Sequence, residues 1–183
     1  NPRVKNIFVE NPGRLPKPIR KKGRLFNKTK YFNGLPSDIS NLIIDVFSVN
    51  KDLQQDSKNS ALLMTQPFSE DLLISEKKKK SLYQEIVNRL SSKYDVYIKP
   101  HPRETTDYSY LNTGTVKILE NTFPIEIVNF MEDVHFDIAI TLSSSAVYRL
   151  KSEIATLELG DILSDKEKYF RNIRKNLKKH LRK

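Results

Sequence analysis

The stretch that decides the fold is DVYIKPHPR, residues 95–103. Its first four residues alternate polar with apolar or aromatic side chains, a pattern that predicts a β-strand. Pro100 and Pro102 then remove two backbone donors and restrict two φ angles, so the strand must end there. In open α/β sheets, ligands bind just beyond the carboxyl ends of strands, where His101 and Arg103 would meet an anion. We therefore predict a ligand site after this strand; the alternative is a rigid surface loop with a solvated histidine.

Short apolar strands alternate with amphipathic segments on both sides of this stretch. The strands are predicted at residues 61–65, 95–99, 116–119, 136–142 and 154–157. Helices are predicted over residues 70–90, from Pro124, and from the serines at 143–145. In the first helix the run Lys77–Lys80 is expected to lie on the outside. Helices between strands imply parallel pairing through right-handed crossovers, so the predicted fold class is α/β, a Rossmann-like doubly wound parallel sheet.

Positive charge is concentrated at the two ends of this 183-residue chain. Residues 1–33 hold ten Lys and Arg against one acid, and residues 164–183 hold nine against two, so the net charge of +10 leaves the middle at −6. The middle lacks the basic stripe with interleaved exposed aromatics that a nucleic-acid groove needs, so nucleic acid is not a predicted partner. The basic ends could attract anionic lipid or simply be solvated.

Composition divides the chain into three predicted parts. Residues 1–40, rich in Pro, Gly, Asn and Lys, are expected to be a basic connector, and residues 41–163 hold the predicted sheet domain. Residues 164–183 are expected to form a basic amphipathic helix. Packing of this helix against its own domain is the favoured interpretation. Contact with an anionic membrane surface is the alternative, and it would allow a non-catalytic membrane-binding module.

Some chemistries are excluded by residue counts. The absence of cysteine excludes disulfides, thiolate zinc sites and cysteine nucleophiles. The three histidines have no metal-ligand spacing, so we expect no metal. The absence of cysteine and of a metal-ligand spacing is compatible with a reducing, cytoplasmic location. No apolar run is long enough for a signal peptide or a membrane span. Because the chain starts at Asn1 rather than Met, we interpret it as a piece of a longer protein.

Two further polar groups fall at the predicted carboxyl edge of the sheet. Glu126 lies in the first turn of the helix that Pro124 opens, where its carboxylate could accept hydrogen bonds from the vicinal hydroxyls of a ribose. Ser143, Ser144 and Ser145 join a buried strand to a helix N-terminus, which suits a phosphate. Each also has a simpler explanation, as a helix-dipole partner or an ordinary N-cap. Their conjunction with His101 predicts a nucleotide site.

Four segments together resemble the C-terminal half of bacterial sialyltransferases, most closely glycosyltransferase family 52, the lipooligosaccharide and capsule sialyltransferases. These segments are LLMTQPFSED at 62–71, VYIKPHPRE at 96–104, FPIE at 123–126 and TLSSSA at 141–146. Members have a GT-B architecture of two Rossmann-like domains and transfer sialic acid from CMP-sialic acid to a terminal galactose with inversion, without a metal ion. The resemblance implies that this chain is one half of such an enzyme, with a CMP-sugar donor, a glycan acceptor and no cofactor.

The resemblance also assigns roles to residues. His101 would contact the phosphate and stabilise the departing CMP, as the catalytic residue of this half. The backbone at residues 100–103 would border the cytosine, Glu126 would hold the ribose, and two of the three serines would donate to the phosphate. An enzyme of this kind would work in the cytoplasm, at the inner face of the cell membrane where that alternative applies, and the resemblance allows a homodimer.

One family feature is missing. The catalytic base of the family is an acid in a D/E-D/E-G motif of the N-terminal domain, whereas Glu70-Asp71 is followed here by Leu72. We therefore expect the base to lie upstream, and this chain to bind donor without catalysing transfer by itself. Teichoic-acid glycerophosphotransferases and capsule-export transferases carry a similar Lys-x-His-Pro, so a CDP-glycerol enzyme is the alternative. Neither His135 nor His180 has the context of the second histidine motif such an enzyme needs, which favours the sialyltransferase.

Overall fold

The computed structural model of the chain describes residues 3–27, 30–31, 34–47, 53, 59–131, 134–151, 153–159, 175 and 179. The chain divides into two compact units, residues 1–42 and 43–183. The first unit contains a pair of parallel strands, β1 (Ile7–Val9) and β2 (Gly23–Leu25), joined through a 3₁₀ helix and the short helix α1 (Lys17–Arg20). A segment interpreted from sequence as a connector therefore contains short elements with their own hydrogen bonds.

One position in this first unit depends on glycine. A Cβ built on Gly23 would lie 2.9 Å from side-chain carbons of both Leu15 and Pro12. Contacts that short do not occur between real side chains, so a larger residue would push β2 away from the turn beneath it. The glycine allows the close approach of the two backbone segments.

A five-stranded, fully parallel sheet forms the centre of the second unit. Its spatial order is β5-β4-β3-β6-β7. The strands are β3 (Ser60–Met64), β4 (Asp95–Lys99), β5 (Val116–Ile118), β6 (Ile138–Thr141) and β7 (Ala155–Glu158). The order reverses between β3 and β6, which is the arrangement of a doubly wound sheet with its switch point at β3. The predicted α/β class is confirmed.

Apolar residues cover both faces of the sheet, as a parallel sheet requires. All five residues of β3 are buried, and alternate side chains enter opposite cores. Leu63 packs with Ile86 of helix α3 (Glu76–Leu90) on one face. Leu62 packs with Val128 and Val147 on the other face. The helix between β3 and β4 therefore covers one face, and the segments after β5 and β6 cover the other.

The helices differ from the sequence expectation in length and type. The helix α2 (Ser37–Val46) precedes the sheet, and α3 begins at Glu76 rather than at residue 70. Leu72 has a φ of 55°, in the left-handed region, which is incompatible with a helix. Ser75 then caps α3 by accepting a hydrogen bond from the Lys78 N–H at 3.3 Å.

The two helices predicted from Pro124 and from the serines are short 3₁₀ helices, Ile125–Phe130 and Ser145–Arg149. They contain the β-branched residues Ile125, Ile127, Val128 and Val147, which lower helix propensity. The hydrogen-bond geometry of a 3₁₀ helix is poorer than that of an α-helix, so 3₁₀ helices occur mainly as short connectors of this kind.

The predicted C-terminal helix at 164–183 lies outside the described residues, apart from Lys175 and Lys179. Within the described part of the chain, no helix has the length and apolar character to cross a membrane.

Candidate functional site

The ends of the three central strands lie side by side. Met64, the last residue of β3, pairs with Lys99 on one side and with Thr141 on the other. The loops that follow these strands therefore leave the sheet at one carboxyl edge, beside the switch point. This edge is where ligands bind in open α/β sheets. The His101 loop and the serine loop, which sequence placed in one site, do emerge from this edge.

The imidazole of His101 is held in one orientation by its own loop. The backbone N–H of Arg103 donates a hydrogen bond to His101 Nδ1 at 3.1 Å. Burial lowers the pKa of His101, and the Arg103 guanidinium lowers it further. A neutral ring whose Nδ1 accepts a hydrogen bond must carry its proton on Nε2. His101 therefore presents an Nε2–H donor, which suits an anionic oxygen.

The carboxylate of Glu104 closes the turn that contains His101. Glu104 Oε2 accepts from the His101 backbone N–H at 2.6 Å, and the Glu104 N–H donates to the His101 carbonyl at 2.9 Å. The same carboxylate accepts hydrogen bonds from the hydroxyls of Thr65 and Tyr108. The Glu104 side chain is only 1% exposed. The turn is therefore anchored to the end of β3 by a buried charge.

The counter-ion of this carboxylate is Lys79. Its ammonium lies 2.7 Å from Glu104 Oε1 and 2.8 Å from Glu70 Oε2, and its side chain is fully buried. The expectation that Lys77–Lys80 lies outside is thus wrong for Lys79. The helical periodicity could have identified Lys79 as buried, because it lies three and four residues before the buried Leu82 and Tyr83.

Glu70 receives several hydrogen bonds at this edge. Burial raises the pKa of Glu70, but hydrogen bonds from Lys79, from the Thr105 N–H and from Ser69 outweigh it and hold the pKa at about 2. The Thr105 N–H donates to Glu70 Oε1 at 2.9 Å. The loop after β3 is thereby fastened to the loop after β4.

Glu70 gives the folded chain a specific acid sensitivity. Its pKa is lowered from 4.5 to about 2, so its stabilisation is complete above pH 4.5 and is lost as the pH falls towards 2. We expect Glu70→Gln to remove about 1–2 kcal/mol of this pH-dependent stability, the shift being discounted for partial exposure. Urea denaturation of both proteins between pH 2.5 and 6 measures it. Glu85→Gln, a charge removal on α3, is the control; an acid profile that Glu70→Gln leaves unchanged would contradict the expectation.

The guanidinium of Arg103 is already engaged. It makes two hydrogen bonds to the carboxylate of Asp71, at 2.9 and 3.1 Å, in a bidentate ion pair. The side chain is 62% exposed, so this pair lies at the rim of the edge. Pro100 is buried and Pro102 is exposed in the same turn. The sequence analysis predicted that Arg103 would meet an anion. In the structure, the Asp71 carboxylate is already one anionic partner of this guanidinium.

Glu126 is also paired, with a residue that sequence reasoning missed. Arg149 Nη1 donates to Glu126 Oε1 at 3.0 Å, and Asn129 Nδ2 donates to the Arg149 carbonyl at 2.7 Å. These bonds join the 3₁₀ helix after β5 to the one after β6. Nothing in the local sequence marked Arg149, since the pairing spans 23 residues.

The three serines have different surroundings. Ser144 is the N-cap of the following 3₁₀ helix, and its hydroxyl oxygen accepts from the Ala146 N–H at 3.2 Å. This matches the simpler explanation for one serine, and it leaves the Ser144 O–H available as a donor. In the part of the chain that the structure describes, the hydroxyls of Ser143 and Ser145 make no hydrogen bond.

Lys99 is an unexpected buried cation at this edge. It is 4% exposed, its ammonium donates to the Pro100 carbonyl at 3.1 Å, and it lies 4.5 Å from the centre of the Phe123 ring. Burial lowers the pKa of Lys99 to about 8, and the Glu104 carboxylate opposes this shift.

Among the described residues, no group of three His, Cys, Asp or Glu side chains is arranged to hold a metal ion.

The fold and its polar edge define a Rossmann-like α/β protein with a candidate ligand site at the switch point. The family model for glycosyltransferase family 52 matches residues 1–159, and this chain belongs to that family.

The chain is also similar to an uncharacterized protein of Haemophilus influenzae (strain ATCC 51907 / DSM 11121 / KW20 / Rd). The two are 33% identical over 154 residues, which cover 82% of this chain and 48% of that protein. The chain thus spans about half the length of this relative. No solved structure matches the chain.

Proposed function

We propose that this chain is the donor-nucleotide half of a sialyltransferase that uses CMP-sialic acid to sialylate a terminal galactose of a bacterial surface glycan. The observation that carries the proposal is the fixed Nε2–H donor of His101, which stands at the switch point on the same sheet edge as the serine loop. Membership of glycosyltransferase family 52 supports it.

The chemistry of sialyl transfer explains why such donors belong there. The bond between the anomeric carbon and the phosphate oxygen breaks, and the electron pair stays on the departing CMP phosphate. The acceptor hydroxyl attacks the anomeric carbon from the opposite face, and its proton passes to a base that we place upstream of this chain. Donors aimed at the phosphate stabilise the charge that grows there in the transition state. No metal is needed in this scheme.

The remaining residues have proposed roles in holding the donor. His101 Nε2–H and the Ser144 O–H donate to the phosphate. The carboxylate of Glu126, oriented by Arg149, accepts from the ribose hydroxyls. One oxygen of that carboxylate is bonded to Arg149, and the other is the one we assign to the ribose. The backbone at residues 100–103 borders the cytosine.

Calorimetric titration of the chain with CMP tests this proposal, with UMP and CDP as comparison ligands. Selective binding of CMP is the expected result, because the site is proposed to hold one phosphate and a cytosine. A preference for CDP over CMP would support the CDP-glycerol alternative instead. Failure to bind any of the three nucleotides would count against a donor site that is complete within this chain.

His101→Ala is expected to weaken CMP binding by about 1–3 kcal/mol, roughly 5- to 150-fold in Kd, because a hydrogen bond to a charged group is lost. The matched control is His135→Ala, since His135 is exposed and precedes β6 at the opposite end of that strand. The control should bind CMP like the unchanged chain. Equal affinities for both variants would remove His101 from the site.

A further inference from the structure

Beneath the His101 turn lies a buried charge cluster whose hydrogen bonds converge on that turn. We propose that Glu104, neutralised by the buried ammonium of Lys79, is a positioning residue that orients the His101 imidazole before any nucleotide binds. The inference rests on the proposed function of His101 as a phosphate donor. It adds a second layer of residues that sequence reasoning did not identify.

Three hydrogen bonds join residues 101, 103 and 104 of this turn to one another. The Glu104 carboxylate accepts from the His101 N–H at 2.6 Å, and the Glu104 N–H donates to the His101 carbonyl at 2.9 Å. Between these two residues, the Arg103 N–H points at His101 Nδ1, at 3.1 Å. The direction of this last bond is set by the turn that Glu104 closes. The orientation of the ring therefore depends on a carboxylate that does not touch it.

The cluster is also fixed from below. Lys79 comes from α3, Thr65 follows β3, and Tyr108 lies in the loop after β4, so three separate segments bond to one carboxylate. The second carboxylate on Lys79, Glu70, accepts from the Thr105 N–H directly after Glu104. Through the carboxylates of Glu104 and Glu70, the Lys79 ammonium thus holds the backbone of this loop at residues 101 and 105. Such preorganisation keeps a donor in its productive geometry without a cost at the moment of reaction.

The geometry distinguishes positioning from proton transfer. In a catalytic triad the carboxylate bonds to the ring nitrogen of the histidine. Here the carboxylate bonds to the backbone of His101, and Nδ1 faces a backbone N–H instead. Glu104 therefore selects one ring orientation and one neutral tautomer, but it cannot take a proton from the ring.

The test uses the full chain with Glu104→Gln and, as a matched charge removal at the surface of α3, Glu85→Gln. The first readout is the pair of ¹⁵N shifts of the His101 ring, which are resolvable because the chain has three histidines. The second readout is the Kd for CMP. We expect the unchanged chain and Glu85→Gln to show the single Nε2–H tautomer. Glu104→Gln should show a mixture of tautomers and should bind CMP more weakly in proportion to the fraction of Nε2–H ring that is lost, about tenfold where only about one tenth of it remains.

The two readouts separate the inference from the proposed function. If the unchanged chain does not bind CMP, the proposed function fails, while the tautomer measured without nucleotide still decides the role of Glu104. A Glu104→Gln protein with a lower melting temperature but the same tautomer and affinity would make Glu104 merely structural and overturn the inference.

Two further measurements apply if Glu104→Gln does not fold. Glu104→Asp keeps the charge but draws the carboxylate back by one methylene, so the same tautomer mixture is expected. In the unchanged chain, the His101 amide proton should resonate far downfield and exchange slowly with solvent, as expected for a short bond to a carboxylate. An ordinary amide shift with fast exchange would also overturn the inference.

Discussion

Replacing Lys79 with methionine is expected to lower the free energy of unfolding by about 3–5 kcal/mol, because removing one member of a buried ionic group leaves its partners uncompensated. The side chain of Lys79 is fully buried between Glu70 and Glu104. Urea denaturation at pH 7 measures the loss. Lys77→Met makes the same chemical change at an exposed position of the same helix, and it should change stability by less than about 0.5 kcal/mol.

A double variant makes this prediction more specific. Adding Glu104→Gln to Lys79→Met removes one of the two carboxylates that the first substitution leaves without a counter-ion. The double variant should therefore be less destabilised than the sum of the two single variants, as expected for groups in one network. Additive effects, or a Lys79→Met protein as stable as Lys77→Met, would show that Lys79 is not the counter-ion of this cluster.

Lys99→Met, unlike Lys79→Met, should raise the free energy of unfolding at pH 7, by about 2 kcal/mol. Burial lowers the pKa of Lys99 from 10.5 to about 8, and each pKa unit corresponds to about 1.4 kcal/mol against the charged form. The hydrogen bond to the Pro100 carbonyl is lost in the variant, which offsets about 1 kcal/mol of the gain. Urea denaturation of both proteins at pH 7 gives the difference. A Lys99→Met protein less stable than the unchanged chain would contradict the prediction.

The pH dependence of that difference follows from the direction of the shift. Because the folded chain binds the Lys99 proton more weakly than the unfolded chain does, stability from this group rises as the pH increases from about 8 towards 10.5. The advantage of Lys99→Met should therefore be largest below pH 8, fall as the pH rises from about 8, and be gone by about pH 10.5. Lys117→Met makes the same chemical change at an exposed position of β5 and is the control.

The sequence predicted the sheet well because its signals are local. Residues 95–99 were predicted as a strand with the bounds that the structure gives, and the two prolines define its end. Residues 96–99 are all buried, so the expected alternation does not appear as alternating exposure in this strand. Alternation of strands with longer connections was enough to predict parallel pairing. The lengths of the segments after Pro124 and Ser144 were not predictable in this way. The β-branched residues of these segments lower helix propensity, but the length of each segment also depends on tertiary packing, which a local pattern does not show.

In the candidate site too, the residues that were predicted have local sequence signals, and most of the residues that were missed do not. His101, Glu126 and Ser144 stood out because each follows a strand or begins a helical segment. Their partners did not, because an ion pair such as that between Arg149 and Glu126 joins residues that only the folded chain brings together. Lys79 was missed for a further reason, since lysine is rarely buried and a run of four lysines is normally solvated.

The pairing of β3 with β6 has a consequence for the order in which the molecule assembles. The hydrogen bond from the Ser60 N–H to Asp137 joins positions 77 residues apart, so the two strands meet only after a long loop has closed. Sheets built from such distant pairings have high contact order and fold slowly. A chain that has paired β3 with β4, and β4 with β5, already has the His101 turn, but it lacks the serine loop that completes the edge. A ligand that needs both should therefore slow unfolding of the finished sheet and leave the folding rate unchanged.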